Sequence, residues 1–462
     1  MPKLNIQAKN EKSVQLGVMT ADSKTQIDSL VSPNFTAGDS ASGLSLMAKR
    51  MVGSSILKIA WEIRAIKEQG VPLADMTVGD FSPEQFPLPD ALRDAITNAM
   101  NQGLTNYPPP NGMPELREAI QAHIRRTQNL DYPLDAITVV SGGRPSLYAT
   151  YRLLVDPGEL VLFPTPSWNN HNYRDVCDVR VRAVPCGPET AFQPTAAAME
   201  PHLGGARLLV LNTPQNPSGG VMAKEEVEAF GHLLVRENTA RAQRSEKPLY
   251  LLFDQIYSSM TFDGHRHYSP VELVPDCAPW VVHSDGISKG FCATGLRLGW
   301  FFGPPSIIGK AVALLTHVGA WAPKPVQLGT ANFLNQTDAV AAWDADLARR
   351  IRERLQILSD GMAALKKSGF DVDYIEPQGA IYMSLRFPLI GRTTPEGHTL
   401  KDHEDIRSYL LHAAGVALVP FDAFGVEEAD GGGWFRASVG AASIDELNAA
   451  FPRLHDALAA LH

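Results

Sequence analysis

Short apolar segments alternate with longer amphipathic segments through the middle of the chain. Seven of the short segments are rich in β-branched and aliphatic residues and end at turn residues, which is typical of strands. They cover residues 137–140, 160–163, 179–184, 207–211, 249–253, 280–283 and 298–302. Because helical patterns separate most of them, the sequence predicts an α/β fold with a mostly parallel seven-stranded sheet that helices cover on both faces.

The pattern differs on either side of this region. Apolar residues from Leu347 to Leu365 recur at intervals of three and four, which predicts a long amphipathic helix. Nearer the N-terminus, a helical pattern at 55–70 precedes a short strand that begins at Met76 and breaks into a Gly/Pro loop. In that loop the backbone could approach a ligand closely at Gly79.

These changes of pattern suggest how the chain is divided. We predict a large domain at residues 94–330 and a smaller α+β domain formed by residues 45–93 and 331–462. Residues 1–44 are polar and lack periodicity, so they are predicted to be an N-terminal arm.

Composition narrows the function classes. The 462 residues carry a net charge of -9 with Lys and Arg spread along the chain, so no basic surface for nucleic acid is expected. The four cysteines lack Cys-x-x-Cys spacing, which argues against a metal site or a disulfide scaffold. No apolar run approaches the roughly 18 residues that cross a bilayer. We expect a cytoplasmic protein without metal, membrane or nucleic-acid partners.

A lysine after the sixth predicted strand is the first candidate catalytic residue. Lys289 follows Ser288 at a loop end, where its amine could form an imine with a cofactor aldehyde. Arg297 lies eight residues later and could bind a phosphate together with Ser288. Because an isolated Ser-Lys pair is usually part of a solvated loop, these residues carry an argument only together with their neighbours.

Polar side chains also end the fourth and fifth predicted strands. Asp254 follows the fifth strand, where a buried carboxylate could keep a ring nitrogen protonated and make the ring an electron sink. Tyr257 could reach another ring substituent, and Asn216, in a Pro/Gly-rich turn, offers an amide donor to a phenolate-type oxygen. The structural alternatives are a helix cap for the aspartate and an ordinary turn for the asparagine.

The first and second predicted strands end in groups that suit a phosphate and a planar ring. Gly142 and Gly143 open a helix whose N–H groups and dipole favour a phosphate. Trp168 follows the second strand, where its indole could stack on a ring. Because the carboxyl ends of parallel strands meet at one edge of a sheet, these groups together predict a site for one planar phosphorylated ligand.

Together these motifs resemble the aspartate aminotransferase family of pyridoxal 5'-phosphate (PLP) enzymes, fold type I, classes I and II. The resemblance covers about residues 50–460. Its specific motifs are Asn-Pro-Ser-Gly at 216–219, Asp-x-x-Tyr at 254–257, and the eight-residue interval between Lys289 and Arg297. It implies that Lys289 holds PLP as a Schiff base and that Arg297 binds the phosphate.

The resemblance also implies roles for the groups around the ring. Asp254 would serve the pyridine nitrogen, while Asn216 and Tyr257 would contact the 3'-oxygen. In the segment Pro-Ser-Trp-Asn-Asn-His, Trp168 would cover the ring and His171 would support Asp254 from behind.

Two further segments carry implications for the substrate and for assembly. Tyr107, in Tyr-Pro-Pro-Pro-Asn-Gly, resembles the tyrosine that reaches the phosphate of a neighbouring subunit, which implies a homodimer with a shared active site. Arg436, in Trp-Phe-Arg-Ala-Ser, resembles the arginine that binds the substrate α-carboxylate. Gly79, Trp168 and Asn216 are the other predicted substrate-binding residues.

Three positions depart from the family pattern. Gly286 stands where a phosphate-binding serine is usual, three residues before the lysine. Arg144, followed by Pro145, replaces the Ser or Thr that usually follows the glycine pair, and either a phosphate or a substrate role is open for it. His317 aligns loosely with the arginine that recognises a side-chain carboxylate in classical aspartate aminotransferases.

These observations predict a PLP-dependent aminotransferase. It would move the amino group of an α-amino acid, with aspartate and aromatic amino acids as candidates, to a 2-oxo acid such as 2-oxoglutarate. Lys289 would move the proton from Cα to the C4' carbon. Another fold type I enzyme, such as a carbon-sulfur lyase, a cyclising synthase or a decarboxylase, is the alternative. A PLP-sensing regulator is disfavoured because the N-terminal arm lacks a DNA-binding pattern.

Overall fold

The computed structural model describes residues 43–51, 53, 59, 62, 63, 66, 68, 70, 72–427 and 432–462. The chain divides into two compact units, Met1–Arg50 and Met51–His462. In the first unit the described residues include the short helix α1 (Leu46–Arg50). Of the predicted arm at 1–44, residues 1–42 lie outside the described residues. The predicted division of the remaining chain into two domains stays a prediction.

The described strands of Met51–His462 belong to three sheets. Their bounds are β1 (Ala74–Asp75), β2 (Ile137–Val140), β3 (Leu160–Thr165), β4 (Arg180–Pro185), β5 (Ala206–Asn212), β6 (Tyr250–Asp254), β7 (Val281–Gly286), β8 (Gly299–Phe302), β9 (Asp373–Ile375), β10 (Tyr382–Arg386), β11 (Val416–Ala417), β12 (Val419–Pro420) and β13 (Trp434–Ser438). Strands β2 to β8 are the seven predicted strands, and they form one sheet in the order β2-β8-β7-β6-β5-β3-β4. Strand β8 runs antiparallel to both neighbours, and the other pairs are parallel. The predicted fold class is therefore confirmed.

Helices connect most of these strands. Their bounds are α2 (Asp90–Asn101), α3 (Pro114–Gln128), α4 (Gly143–Leu154), α5 (Tyr173–Cys177), α6 (Ala196–Met199), α7 (Lys224–Gln243), α8 (Pro270–Leu273), α9 (Ile287–Gly290), α10 (Pro305–Val318), α11 (Lys324–Leu334), α12 (Thr337–Lys367), α13 (His403–Ala414) and α14 (Ile444–Ala459). The helix predicted at 55–70 lies largely outside the described residues, although those described at 59, 62, 63, 66 and 68 are helical. No described helix has both the length and the apolar composition needed to cross a membrane.

The seven-stranded sheet has a hydrophobic core on each face. In β5, Leu209 and Leu211 pack in one core, whereas Leu208 and Val210 pack in the other. This alternation follows from the pleat, which points successive side chains to opposite faces. Helices α2, α3, α7 and α11 contribute to the first core, and α4 and α10 contribute to the second.

A further core surrounds the four-stranded antiparallel sheet β12-β13-β10-β9. Helix α12 packs there through the predicted apolar stripe, of which Leu347, Ile351 and Leu355 are buried members. Helix α14 begins at a capping box in which the Ser443 hydroxyl and the Glu446 carboxylate each accept a backbone N–H, which satisfies two otherwise unpaired donors.

The strand predicted at Met76 begins earlier than expected. Strand β1 covers Ala74–Asp75 and pairs in parallel with β11. The Asp75 carboxylate accepts hydrogen bonds from the backbone N–H of Thr77 at 3.2 Å and from its hydroxyl at 2.7 Å. The following loop reaches the end of β7 in the large sheet, because the Gly79 carbonyl oxygen accepts a hydrogen bond from Lys289.

The parallel strands bring three polar residues to one edge. Asn212 at the end of β5 is in register with Asp254 at the end of β6, and Asp254 is in register with Ser284 of β7. In parallel sheets such edges are the usual place for ligands, because the connecting loops diverge there.

Candidate active site

A cavity of about 810 Å³ opens at the carboxyl ends of the parallel strands. Eleven of the thirteen predicted site residues line it, and these are Gly79, Gly143, Arg144, Trp168, Asn216, Asp254, Tyr257, Ser288, Lys289, Arg297 and Arg436. Gly142 and Tyr107 are the two that do not. The sequence-predicted groups, which are scattered over 358 positions from Gly79 to Arg436, therefore meet at one place.

Lys289 lies in the short helix α9, directly after β7. Its Nζ donates a hydrogen bond of 2.5 Å to the carbonyl oxygen of Gly79. Burial lowers the pKa of the Lys289 amine to about 8, with the nearby Asp80 carboxylate opposing part of that change. At such a pKa about a tenth of the amine is unprotonated at pH 7, far more than for an ordinary lysine, which suits it to imine formation and to proton transfer.

The backbone approach predicted at Gly79 has a steric basis. A Cβ atom at this position would lie 2.9 Å from the hydroxyl of Tyr382 and 3.4 Å from Nη1 of Arg436. Only glycine leaves room for both side chains while its carbonyl oxygen faces Lys289.

Asp254 ends β6 and faces the same cavity. Its Oδ1 accepts a hydrogen bond of 3.2 Å from the backbone N–H of Ile256. Burial raises the pKa of the Asp254 carboxyl to about 7, and the Ile256 N–H partly opposes this change. A carboxyl group with this environment gains most from a cationic partner, because such a partner restores its charged form.

Tyr257 has a partner that sequence reasoning missed. Its hydroxyl lies 2.6 Å from the hydroxyl of Tyr382, the first residue of β10. The two rings meet edge to face with centroids 5.6 Å apart. Tyr382 is 125 residues away along the chain, so periodicity could mark it as a strand residue but not as a neighbour of the site.

Arg436 on β13 is held from several directions. Nη1 donates to Oδ1 of Asn216 at 3.0 Å, and Nη2 donates to the carbonyl oxygen of Thr77 at 2.5 Å. The guanidinium carbon lies 4.8 Å from the ring centroids of both Tyr382 and Phe424. Nε is buried without a partner among the described residues. The side chain is thus preorganised. Nη1 and Nη2 each use one N–H in these bonds and keep a second N–H for an anion in the cavity.

The opposite end of the cavity suits a phosphate. Helix α4 begins after Gly142, which has a φ of 84°, and its first N–H groups are free of intrahelical partners. The Arg297 guanidinium donates to the carbonyl oxygens of Thr294 at 2.6 Å and Ser141 at 3.3 Å. Arg297 therefore lies beside the N-terminus of α4, so that both could contact the same phosphate.

The structure explains the departure at Gly286. A Cβ atom there would lie 2.7 Å from Cα of Gly299 and 2.9 Å from the carbonyl oxygen of Leu298. The neighbouring strand β8 therefore leaves no space for the usual serine. Hydroxyl groups remain close by, because Ser284 lines the cavity and its hydroxyl lies 2.6 Å from that of Ser146 on α4.

Trp168 and Arg144 form a pair at the cavity wall. The Arg144 guanidinium carbon lies 4.8 Å from the centroid of the Trp168 ring, within the range of cation–π attraction. His171 also lines the cavity, but its Nδ1 is buried without a hydrogen-bond partner in the described chain. The support from His171 to Asp254 that the resemblance implied is not made by a described hydrogen bond.

Tyr107 and His317, which were singled out from the sequence, lie outside the cavity. Tyr107 is 81% exposed and packs edge to face on Trp321 with centroids 5.2 Å apart. His317 is an exposed residue in the last turn of α10. Neither residue reaches the cavity of its own chain.

The residues present fit PLP. The cavity combines an amine on Lys289, a carboxyl group on Asp254 that a pyridinium would complement, and an arginine beside a helix N-terminus for the phosphate. Arg436 also lines the cavity, and the second N–H groups on its Nη1 and Nη2 add donors for a second anionic group. This donor set matches an aldehyde cofactor with a basic ring nitrogen and a phosphate, together with a carboxylate-bearing substrate.

Known proteins resemble the chain over most of its length. Residues 72–454 match the family model described as aminotransferase class I and II. The aspartate aminotransferase of Rhizobium meliloti is 29% identical, over 87% of this chain and 92% of the relative. The aspartate/prephenate aminotransferase of Thermus thermophilus is 30% identical, over 83% of this chain and 92% of the relative.

Solved structures give the same result for the fold. The crystal structure of the Rhizobium meliloti aspartate aminotransferase matches with a TM-score of 0.81 and 27% identity, covering 91% of this chain and 99% of that one. The Thermus thermophilus aspartate aminotransferase with maleate matches with a TM-score of 0.78 and 27% identity, covering 90% and 100%.

Proposed function

Because the chain belongs to the aminotransferase class I and II family, we propose that it transfers the amino group of a dicarboxylic α-amino acid to a 2-oxo acid in the cavity around Lys289. Family membership makes the chain a PLP-dependent amino-acid aminotransferase, so the resemblance and the predicted reaction class and cofactor are confirmed. The meeting of Lys289, Asp254 and Arg436 in one cavity is the observation that carries the proposal.

The cofactor-binding roles follow from the chemistry of each lining residue. The Asp254 carboxylate would pair with the pyridinium nitrogen, because its burial leaves it in need of a cation. Tyr257 and Asn216 would serve the 3'-oxygen, and Trp168 would cover the ring. The phosphate would be bound by Arg297, by Ser288, and by the backbone N–H groups that follow Gly142 and Gly143 at the start of α4.

When bound, PLP would supply an electron sink for the negative charge that develops when the substrate loses its α-proton. Lys289 supplies the base. Its Nζ, with a pKa that burial lowers to about 8, can take the proton from the substrate Cα. The carbonyl oxygen of Gly79, 2.5 Å from Nζ in this structure, orients the amine within the cavity.

Arg436 would bind the substrate α-carboxylate. Its guanidinium is already fixed by Asn216, Thr77 and two aromatic rings, so little side-chain entropy is lost when an anion binds. Nη1 and Nη2 each use one N–H in these bonds and keep a second one for the carboxylate. Fixing the carboxylate also fixes the orientation of the Cα–H bond relative to Lys289.

A dicarboxylic donor is supported by the remaining positive charge. Four lysine and arginine residues are among the described residues that line the cavity. Lys289, Arg297 and Arg436 already have proposed roles, which leaves Arg144. Its guanidinium is held over Trp168, and a side-chain carboxylate would neutralise it. The relatives named above are aspartate or aspartate/prephenate aminotransferases, which is consistent with an acidic donor.

We also propose that the enzyme is a homodimer with shared active sites. Tyr107 resembles a phosphate-binding residue, yet it is 81% exposed and lies outside its own cavity. In a homodimer, Tyr107 of one subunit would contact the phosphate that is bound in the cavity of the other subunit.

The four cysteines are free, which supports a reducing compartment such as the cytoplasm.

The test is a donor screen with the PLP-loaded protein and 2-oxoglutarate, read by glutamate formation and by the absorbance change of the cofactor. Aspartate should be a better donor than phenylalanine or tyrosine by kcat/KM. Release of pyruvate and ammonia without an acceptor would contradict amino transfer, and equal use of all donors would contradict the dicarboxylic preference.

A paired variant tests the assignment of Arg144. Arg144→Gln should raise KM for aspartate about 10- to 100-fold through loss of a charge-assisted contact, with PLP affinity nearly unchanged. Arg152→Gln is the matched control, because Arg152 lies on the same helix but donates to the carbonyl oxygen of Cys177. A drop in PLP affinity of Arg144→Gln without a change in KM would assign Arg144 to the phosphate instead.

A further inference from the structure

Tyr382 lies directly behind the cavity wall. It is fully buried, and it touches three residues that line the cavity. Its hydroxyl lies 2.6 Å from that of Tyr257, its ring faces the Arg436 guanidinium at 4.8 Å, and its hydroxyl would be 2.9 Å from a Cβ at Gly79. A residue outside the cavity thus contacts both the predicted 3'-oxygen donor and the predicted carboxylate-binding group.

The number of hydrogens decides the direction of the bond between the two tyrosines. Each phenol carries one O–H hydrogen. If Tyr257 donates that hydrogen to the cofactor, it has none for Tyr382 and must accept at the contact of 2.6 Å. Tyr382 must then be the donor.

The surroundings keep both phenols protonated. Burial raises the pKa of Tyr257 well above its ordinary value, and burial also raises the pKa of Tyr382. The charged groups around the pair are Arg436, which opposes these changes, and the carboxylates of Asp80 and Asp254, which act with them. Each phenol therefore keeps its hydrogen at neutral pH, as the hydrogen count requires.

A donated hydrogen bond changes the donor strength of the acceptor. When Tyr382 donates to the oxygen of Tyr257, it draws electron density from that oxygen and makes the remaining O–H a better donor. It also fixes the torsion of the Tyr257 hydroxyl, because the lone pair that faces Tyr382 is no longer free to turn. Both effects act on the same O–H bond.

We infer that Tyr382 is a positioning residue for the proposed transamination site, whose hydroxyl donates to Tyr257 and thereby directs and strengthens the donation of Tyr257 to the 3'-oxygen of PLP. This inference rests on the proposed function. Tyr382 itself touches neither cofactor nor substrate.

The experiment is an absorbance titration of the PLP-loaded protein against pH. A donor at the 3'-oxygen stabilises its negative charge and lowers the proton affinity of the chromophore. Tyr382→Phe removes the hydroxyl but keeps the ring beside Arg436. Its absorbance midpoint should move upward by about 0.4 to 1 pH unit, the size expected for one weakened hydrogen bond. The dissociation constant for maleate, a dicarboxylate probe, should stay within about twofold of the wild-type value.

Two further variants separate this role from a general structural one. Tyr257→Phe should shift the midpoint by more, and the Tyr257→Phe/Tyr382→Phe double variant should match Tyr257→Phe alone, because Tyr382 acts through Tyr257. Tyr409→Phe is the matched control. This variant also loses a partly buried hydrogen bond, which the Tyr409 hydroxyl donates to the carbonyl oxygen of Ala457 at 2.7 Å. It should leave the absorbance midpoint unchanged.

The possible failures are distinct. A wild-type protein that gains no visible PLP absorbance, or transfers no amino group, would refute the proposed function. A normal wild-type spectrum with an unchanged midpoint in Tyr382→Phe would refute only the role of Tyr382. A shift that persists in the Tyr257→Phe background would also overturn it, since Tyr382 would then act by another route.

Discussion

Arg436 donates from Nη1 to Oδ1 of Asn216 across 3.0 Å. One of these residues is the proposed carboxylate-binding group, and the other is a proposed partner of the cofactor 3'-oxygen. The contact uses the carbonyl side of the Asn216 amide and leaves its NH2 group for the cavity. The proposed carboxylate-binding arginine thus fixes the orientation of the amide that we propose as a cofactor ligand.

Arg436→Lys should weaken substrate binding strongly. Lysine keeps the charge but cannot supply the planar fork that holds Asn216 and an incoming carboxylate together. Loss of one charge-assisted hydrogen bond of about 1.5–3 kcal/mol would raise KM for the amino donor about 10- to 100-fold. Steady-state kinetics measure this. Arg386→Lys on strand β10, whose Nε bonds the carbonyl oxygen of Gly432, is the control, and equal KM values for the two variants would contradict the assignment.

Lys289→Ala should lose amino transfer almost completely. Removal of the amine deletes the proposed base, which alone contributes about 10²- to 10⁴-fold in rate. Single-turnover kinetics of the PLP-loaded variant with aspartate check this. Lys324→Ala serves as comparison, because Lys324 is half-buried like many site residues but its Nζ donates to Oδ1 of Asn106, away from the cavity lining. Full turnover by Lys289→Ala would show that another group moves the proton.

Asp254→Asn should change how the stability of the cofactor-free protein depends on pH. Burial raises the pKa of Asp254 to about 7, so the folded state holds this proton more tightly than the unfolded state. The contribution of the Asp254 carboxyl group to the free energy of unfolding therefore falls as pH rises from about 4 to about 7. Asparagine does not titrate, so Tm of the variant minus Tm of the wild type should become more positive between about pH 5 and about pH 8.

The comparison variant for this titration is Asp456→Asn. The side chain of Asp456 is 87% exposed, so its replacement should give a Tm difference that is nearly constant across the same range. A pH-independent difference for Asp254→Asn as well would mean that its carboxyl group is not desolvated in the folded protein.

Mixed dimers test whether Tyr107 acts in a neighbouring subunit. Tyr107→Phe and Lys289→Ala homodimers should each have low activity. In the mixed dimer one site would combine the intact Lys289 of one chain with the intact Tyr107 of the other, so activity should recover toward that of one wild-type site per dimer. Light scattering verifies the dimer, and absence of recovery in verified mixed dimers would indicate that Tyr107 does not act across the interface.

Gly286→Ser should destabilise the protein rather than restore a phosphate contact. The new Cβ would lie 2.7 Å from Cα of Gly299, and overpacking of this kind costs about 1–3 kcal/mol. Thermal unfolding should show a lower Tm. At Gly290 an added Cβ would meet only the Ser259 hydroxyl at 3.4 Å, so Gly290→Ala is the mild comparison. An equally stable Gly286→Ser protein with tighter PLP binding would contradict this explanation.

The local patterns of the chain determine a large part of this picture. All seven predicted strands are present, because runs such as that of β5 must bury both faces between helices. The strand ends then bring Asn216, Asp254 and Lys289 together without further information, since parallel strands share one carboxyl edge. The long stripe of α12 and the capping box at Ser443 are likewise local features, readable from spacing alone.

Tertiary packing decides the features that depend on residues far apart in the chain. Tyr382 bonds Tyr257 only because the small antiparallel sheet packs against the carboxyl edge of the large one. The absence of serine at position 286 follows from the approach of Gly299 on another strand. The described contacts likewise leave His171 without the predicted bond to Asp254.

The sequence by itself therefore determined the elements, the strand-end chemistry and the family, because periodicity and motif spacing are local properties. The tertiary structure alone decided which side chains from separate elements touch, such as Arg436 with Asn216 and Tyr382 with Tyr257. These contacts form over separations of 220 and 125 residues. Their geometry depends on how two packed sheets meet, and no local pattern encodes that relation.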